Sequence, residues 1–208
     1  MQDISPIFYI IVLIISVVAH ELAHGYAALF FGDNTAKYQG RLTLNPIKHL
    51  DLFGSVLLPL MLIITKAPFL IGWAKPVPYN PNNFRAGEYK KAVFWVASAG
   101  IFTNLAIALF FGLFIRFYAF IGGTDIFVIS LASVIVLVNI VLAIFNLMPI
   151  APLDGSKILF NFLGHKFSYI ERFFEKYSIF FVLIFIFFIW DLLIPVINTL
   201  FTFLTGIS

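Results

Sequence analysis

Five consecutive residues hold most of the chemistry available to this chain: His20-Glu21-Leu22-Ala23-His24. On a helix, residues four apart share a face, about one turn along. His20 and His24 can therefore each offer an imidazole nitrogen to one tetrahedral cation, and Zn2+ suits such ligands. Glu21 would lie beside that cation. It could act as general base, taking a proton from a metal-activated water as the oxygen attacks a carbonyl carbon. A lone His in an apolar helix is usually hydrogen-bonded to a neighbour and nothing more. Two His and a Glu within five residues of an apolar run are different, because ionisable groups at lipid depth are expensive and mark function.

The run is apolar because the whole chain is. Its 208 residues are 62% hydrophobic, with 27 Phe and a mean hydropathy of +1.02. Only 11% are charged, less than half of the roughly 25% of a soluble domain. Several stretches reach the ~20 apolar residues that one transmembrane helix needs. The expected location is the cell membrane, as a multi-pass protein with the lipid bilayer as solvent. A net charge of +3 does not point to nucleic acid, and the absence of Cys excludes disulfides. The first apolar run lacks a basic leader and outlasts a signal peptide. With no repeat, linker or low-complexity tract, one membrane domain over residues 1–208 is the simplest expectation.

A hydrolytic zinc takes a third protein ligand and keeps one position open. Asp51, Asp125, Asp154, Asp191, His49 and His165 are the candidates near apolar segments. Asp154 is the best of them. Pro149 and Pro152 break the helix before it and Gly155 follows. Irregular backbone at membrane depth is tolerated only where it is buried in protein or lines a wet cavity. The competing role for Asp154 is a cap on a short helix beginning near Ser156.

The elements that must position these groups follow from the pattern of apolar runs and breakers. Spans are expected at residues 6–31, 92–120, 126–148 and 177–204, with a short helix ending near residue 163. Residues 37–45 read as a short strand. Residues 74–85, rich in Pro, read as an extended loop or edge strands. The apolar run 52–73 contains Pro59 and Pro68. The fold class is thus an all-α polytopic membrane protein of about four transmembrane helices, with a re-entrant or interfacial hairpin and short β-strands near the site.

Two separated stretches resemble the site-2 proteases, the intramembrane zinc metalloproteases, in their compact bacterial branch without PDZ or CBS domain. Residues Asn146-Leu147-Met148-Pro149 through Asp154-Gly155 resemble that family's N-x-x-P-x-x-x-x-D-G motif, and His20 to His24 its zinc helix. Gly40-Arg41-Leu42-Thr43-Leu44-Asn45-Pro46-Ile47-Lys48-His49 and Gly72-Trp73-Ala74-Lys75-Pro76-Val77-Pro78 are also similar to it. The resemblance implies that His20, His24 and Asp154 bind zinc, that Glu21 is catalytic, and that Asn146 steadies the oxyanion or substrate. Asn146 could otherwise make an interhelical hydrogen bond. One departure is Ala99-Gly100-Ile101-Phe102-Thr103-Asn104, with Ile101 where the family often has Pro. Leu42 and Thr43 on the first strand, with Asn104, are the expected substrate contacts. The strands would hold an unwound substrate by β-augmentation. Substrates are then transmembrane proteins or signal peptides.

Topology follows from bringing the ligands together. The chain must cross the membrane an even number of times between His24 and Asp154. Runs 92–120 and 126–148 supply two crossings, so 52–73 must return to the face it left. With the N-terminus outside, Arg116 is the one basic residue near the outer face. The other twelve of the thirteen Lys and Arg fall inside, as the positive-inside rule requires. A transporter, or an inactive scaffold with a structural metal, remains as an alternative. Glu21-dependent cleavage would separate a protease from either.

Overall fold

The structure is a computed structural model and describes residues 4–57, 60, 61, 64 and 74–207. Helix α1 spans Pro6–Phe30. It starts where Ser5 Oγ accepts from Ile7 N–H, with Pro6 in the first turn. It stops at Gly32, whose φ of 105° lies outside the range of most side chains. A single turn, α2 (Thr35–Tyr38), follows. The long helices α3 (Tyr89–Phe120) and α4 (Ile126–Leu147) form a hairpin. Asp125 Oδ1 caps α4 by accepting from Phe127 N–H at 2.8 Å. Next come α5 (Asp154–Leu163) and α6 (Ser168–Lys176). The last run comprises α7 (Ser178–Ile184), a π-turn at Phe185–Ile189 and α8 (Trp190–Thr205), with Pro195 inside α8.

Among the described residues, four helical runs are long and apolar enough to cross a bilayer: Pro6–Phe30, Tyr89–Phe120, Ile126–Leu147 and Ser178–Thr205. The protein is a multi-pass membrane protein. Its exposed surface is lined with large apolar side chains, among them Ile7, Phe110, Phe120 and Phe188. In water such a surface would aggregate; in lipid it is the solvated face. α3 is the central element and packs against α1, α4, α5 and α8. One apolar cluster joins α3, α4 and α8 through Ala108, Ile115, Val136, Ile140 and Ile197. A second, of Ala28, Phe31, Phe84, Ala92 and Val96, seats the loop before α3 against α1. At the far end, Arg116 donates to the carbonyls of Phe203 and Leu204, the last turn of α8.

The expectation of β-strands near the site is wrong. Among the described residues there is no strand. Residues 37–45 contain the end of α2 and then a turn at Gly40, with φ 61°. Residues 74–80 are irregular and belong to no ladder. The backbone groups that a ladder would use are engaged elsewhere. Arg41 N–H donates to Ala36 O, and the Arg41 guanidinium donates to the carbonyls of Lys75 and Pro76. Val77 N–H donates to a side chain, Glu21 Oε2. Pro76 and Pro78 have no N–H to give. Side chains and turns thus take several of the backbone groups that a ladder would use.

The expected hairpin at 52–73 falls largely outside the described residues. Of it, Leu52–Leu57 form a π-turn. Its flanks are described: Lys75 N–H donates to His49 O at 2.8 Å, so the chain stands at the same place before and after this run.

Candidate metal centre

His20 and His24 sit one turn apart on α1, both buried. Their Nε2 atoms are 3.0 Å apart. Asp154 Oδ2 lies 3.1 Å from His20 Nε2 and 3.0 Å from His24 Nε2. Around a tetrahedral zinc with bonds of about 2.0–2.1 Å, ligand atoms stand about 3.3 Å apart. The triad is therefore close to that spacing across a sequence separation of 134 residues.

The far side of each ring fixes which nitrogen faces inward. His24 Nδ1 is 2.6 Å from the Val96 carbonyl oxygen, which can only accept, so Nδ1 carries the proton. His20 Nδ1 is 2.6 Å from Asn104 Oδ1 and donates to it likewise. Both Nε2 atoms then present lone pairs, and both point at a carboxylate oxygen. Three lone-pair donors converge within hydrogen-bond distance with no proton to share. A dication resolves that repulsion, and two neutral imidazoles with one carboxylate are a hydrolytic zinc's protein ligands. Among the described residues this is the one group of His and carboxylate side chains arranged to hold a metal.

Asp154 divides its two oxygens. Oδ1 accepts from Lys157 Nζ at 3.1 Å, one turn along α5, and Oδ2 faces the histidines. Burial alone would raise its pKa. The Lys157 charge acts against burial and favours the carboxylate. Lys157 is raised in turn: burial opposes its charge, and the Asp154 charge more than offsets that. Asp154 is the first residue of α5, where the helix N-terminus also favours a carboxylate. The residue before it, Leu153, occupies the cap position, so the carboxylate serves the site.

A sequence model of peptidase family M50 matches residues 123–189. The chain is 44% identical over 162 residues to "Putative zinc metalloprotease YwhC" of Bacillus subtilis, an alignment covering 73% of this chain and 67% of that protein. The chain belongs to peptidase family M50. It is also similar to proteins of the same description, Rip2 of Mycolicibacterium smegmatis and Rip3 of Mycobacterium tuberculosis. The Rip2 match is 30% identical over 162 residues, covering 74% of this chain and 59% of Rip2. The Rip3 match is 40% identical over 82 residues, covering 38% of this chain and 21% of Rip3. No solved structure matches the chain. With the metal triad and four spans, this M50 chain is a membrane-embedded zinc metalloendopeptidase.

Two glycines make the M50 site possible by close approach. A Cβ on Gly100 would lie 2.5 Å from His20 Nδ1, inside the ring's own space. A Cβ on Gly155 would meet the carbonyls of Leu147 and Met148, where α5 folds back on the end of α4. Real Cβ atoms essentially never come under 3.0 Å, so each glycine lets a ligand-bearing element lie against its neighbour.

Of the other expected site residues, Glu21 is half-buried and its Oε2 accepts from Val77 N–H at 2.7 Å. Asn146 Nδ2 donates to Leu142 O, one turn back on its own helix. Asn104 is fully buried and its amide is engaged by His20, Asn139 and Ser16. Leu42 lies against Gly25, one residue past His24, and Thr43 O accepts from His49 Nε2. His49 and Asp125 are far from the triad's work: one braces the 41–49 turn and the other caps α4.

Sequence reasoning missed Val77, Lys157, Asn139, Ser16 and Asp33. Asp33 is buried at the end of α1 and gathers Thr35 N–H and Oγ1, Asn80 N–H and Asn83 Nδ2. Burial would raise its pKa, but these donors hold it below the ordinary value. It fastens the 74–83 segment, and so Val77, to the zinc helix. Asn139 and Ser16 had a signal, a polar side chain inside an apolar run. Val77 had none, because its contribution is a backbone N–H.

Proposed function

We propose that this M50 protein hydrolyses peptide bonds of membrane-protein substrates near the cytoplasmic face of the bilayer. Glu21 is the general base, and one membrane-embedded domain over residues 1–208 carries the reaction. The observation that carries the reading is Glu21's setting. It follows His20 directly, on the turn that ends at His24, and the Val77 amide holds one of its oxygens at 2.7 Å. A carboxylate fixed beside the ligands can take a proton during attack and return it to the leaving amine. Zinc, when bound by His20, His24 and Asp154, supplies Lewis acidity for the water and the carbonyl. Asn146 has a second Nδ2 proton beyond the one given to Leu142 O, and it supports a donor role towards developing negative charge.

Family membership and the bilayer setting support membrane-protein substrates, signal peptides among them. Leu42 lies against Gly25, one residue past His24, which supports a substrate-contacting role for it and for Thr43 beside it. Cytoplasmic placement is supported by charge. Lys37, Arg41, Lys48, Lys75, Arg85 and Lys157 lie on the loops and short helices at the metal end, while Arg116 lies at the other end beside the C-terminal turn of α8.

The test is turnover of a transmembrane reporter by purified, zinc-loaded Glu21→Gln protein. It should keep its zinc and lose about 10²–10⁴-fold in rate, the range for general-base catalysis. Near-normal turnover would overturn the assignment.

A further inference from the structure

A chain of four buried polar side chains runs from His20 away from the metal. His20 Nδ1 meets Asn104 Oδ1 at 2.6 Å, and Asn104 Nδ2 meets Asn139 Oδ1 at 2.8 Å. Asn139 Nδ2 meets Ser16 Oγ at 2.9 Å and the Ile135 carbonyl at 2.8 Å. Asn104 and Asn139 have no exposed surface, and Ser16 is 3% exposed. The groups come from three helices: α1, α3 and α4.

A carboxamide has unlike ends, so this chain has a direction, and a backbone group sets it. Ile135 O can only accept, which makes the Asn139 atom facing it the NH2 group. Asn139 therefore turns its oxygen to Asn104. That oxygen can only accept, so Asn104 gives it the NH2 group. The Ser16 carbonyl, 3.4 Å from the same Asn104 nitrogen, demands the same orientation. Asn104 is then left to show its oxygen to His20, whose Nδ1 must carry the proton. The lone pair falls on Nε2, the atom that faces Asp154 and His24. His24 reaches the same state in one step, from the Val96 carbonyl. His20 reaches it through the Asn104 carboxamide, which the Asn139 oxygen and the Ser16 carbonyl both orient.

We propose that Asn139 and Ser16 are positioning residues of the metal centre, holding Asn104 in the one orientation that keeps His20 as an Nδ1–H, Nε2-ligating imidazole. The inference rests on the His20–His24–Asp154 metal centre. Neither residue touches zinc or substrate; they act through Asn104. A bland role is also available to such residues, since Asn and Ser side chains join membrane helices without serving any site. The two roles make different predictions. Helix glue affects stability, whereas a positioning chain affects the tautomer and the affinity of the metal.

The experiment uses the full chain, purified in detergent, with isotope-labelled histidine and a chelator competition for zinc. In zinc-free wild type, the nitrogen NMR signals should show His20 as a single Nδ1–H tautomer. Asn139→Leu should give mixed tautomers and weaken zinc binding about 10–100-fold, the range for losing a metal ligand's outer partner. Asn139→Asp, kept protonated by burial, retains a donor for the Ile135 carbonyl and an acceptor towards Asn104 and should keep most of the affinity. Ile140→Ala, a buried packing change at the next residue, should lower the melting temperature and leave zinc affinity unchanged. Wild-type His20 found as the Nε2–H tautomer would overturn the proposal with no variant needed. So would Asn139→Leu with wild-type affinity, or Ile140→Ala weakening zinc as much as Asn139→Leu. Should His20→Ala also bind zinc like the wild type, the metal centre itself fails; loss of zinc there with none in Asn139→Leu defeats this inference alone.

Discussion

The main-chain N–H of Val77 donates to Oε2 of Glu21 at 2.7 Å, joining the zinc helix to a segment 56 residues away. Val77 is flanked by Pro76 and Pro78, so it offers the one amide N–H of the three. A hydrogen bond to a charged group contributes roughly 1.5–3 kcal/mol. Val77→Pro removes it and should lower turnover about 10–100-fold, with zinc content unchanged. Metal analysis alongside a cleavage assay reads both. Wild-type turnover in a zinc-loaded Val77→Pro protein would show that the bond does not hold Glu21 in working position.

Gly100→Ala places a methyl where the His20 ring lies. The ring must swing away, and zinc affinity should fall about 10–100-fold, as when a ligand's support is disturbed. Gly155→Ala should act alike from the other side, because its methyl would meet the Leu147 carbonyl and push Asp154 off the triad. Chelator competition on both variants measures the loss. Unchanged affinity in both would mean that these contacts relax without moving the ligands.

Asp33 makes a pH prediction. Its folded pKa lies below the ordinary 3.8. Its stabilisation is therefore fully present above about pH 4 and is lost as pH falls through the lower folded value. Asp33→Asn should melt below wild type at neutral pH, and the two melting curves should converge as the pH drops below about 4. A gap that stays constant with pH would assign the effect to packing and not to the carboxylate.

The metal triad was legible because it is local or chemically loud. The spacing of His20 and His24 is a helix property, and Asp154 follows a double-proline break. For Asp154 the sequence left two roles open, ligand or cap, and the geometry favours the ligand: Leu153 takes the cap position, and Asp154 Oδ2 faces both histidines while Oδ1 accepts from Lys157. The strands were misread because residues 37–45 and 74–79 have strand-like composition. Their backbone donors and acceptors find Glu21, Arg41 and His49 instead. Such pairings depend on how three helices register in space. The Ser16–Asn139–Asn104 chain depends on the same registry, and spacing along one helix does not reveal it.

The absence of Cys makes the topology directly measurable. The link between His49 and Lys75 brings both flanks of residues 52–73 to one face. Single cysteines at Gln39→Cys and Asn82→Cys should both label from the cytoplasm with an impermeant reagent, and Thr124→Cys from the opposite side. Labelling of the first two from different faces would contradict the arrangement that lets Asp154 reach α1.

Metal content of the purified chain tests the central claim most directly. Wild type should carry about one zinc per chain, as a single three-ligand centre requires. His20→Ala and Asp154→Ala should each lose most of it while remaining folded, and should lose cleavage of a transmembrane reporter with it. Full zinc retention in both variants would contradict the account.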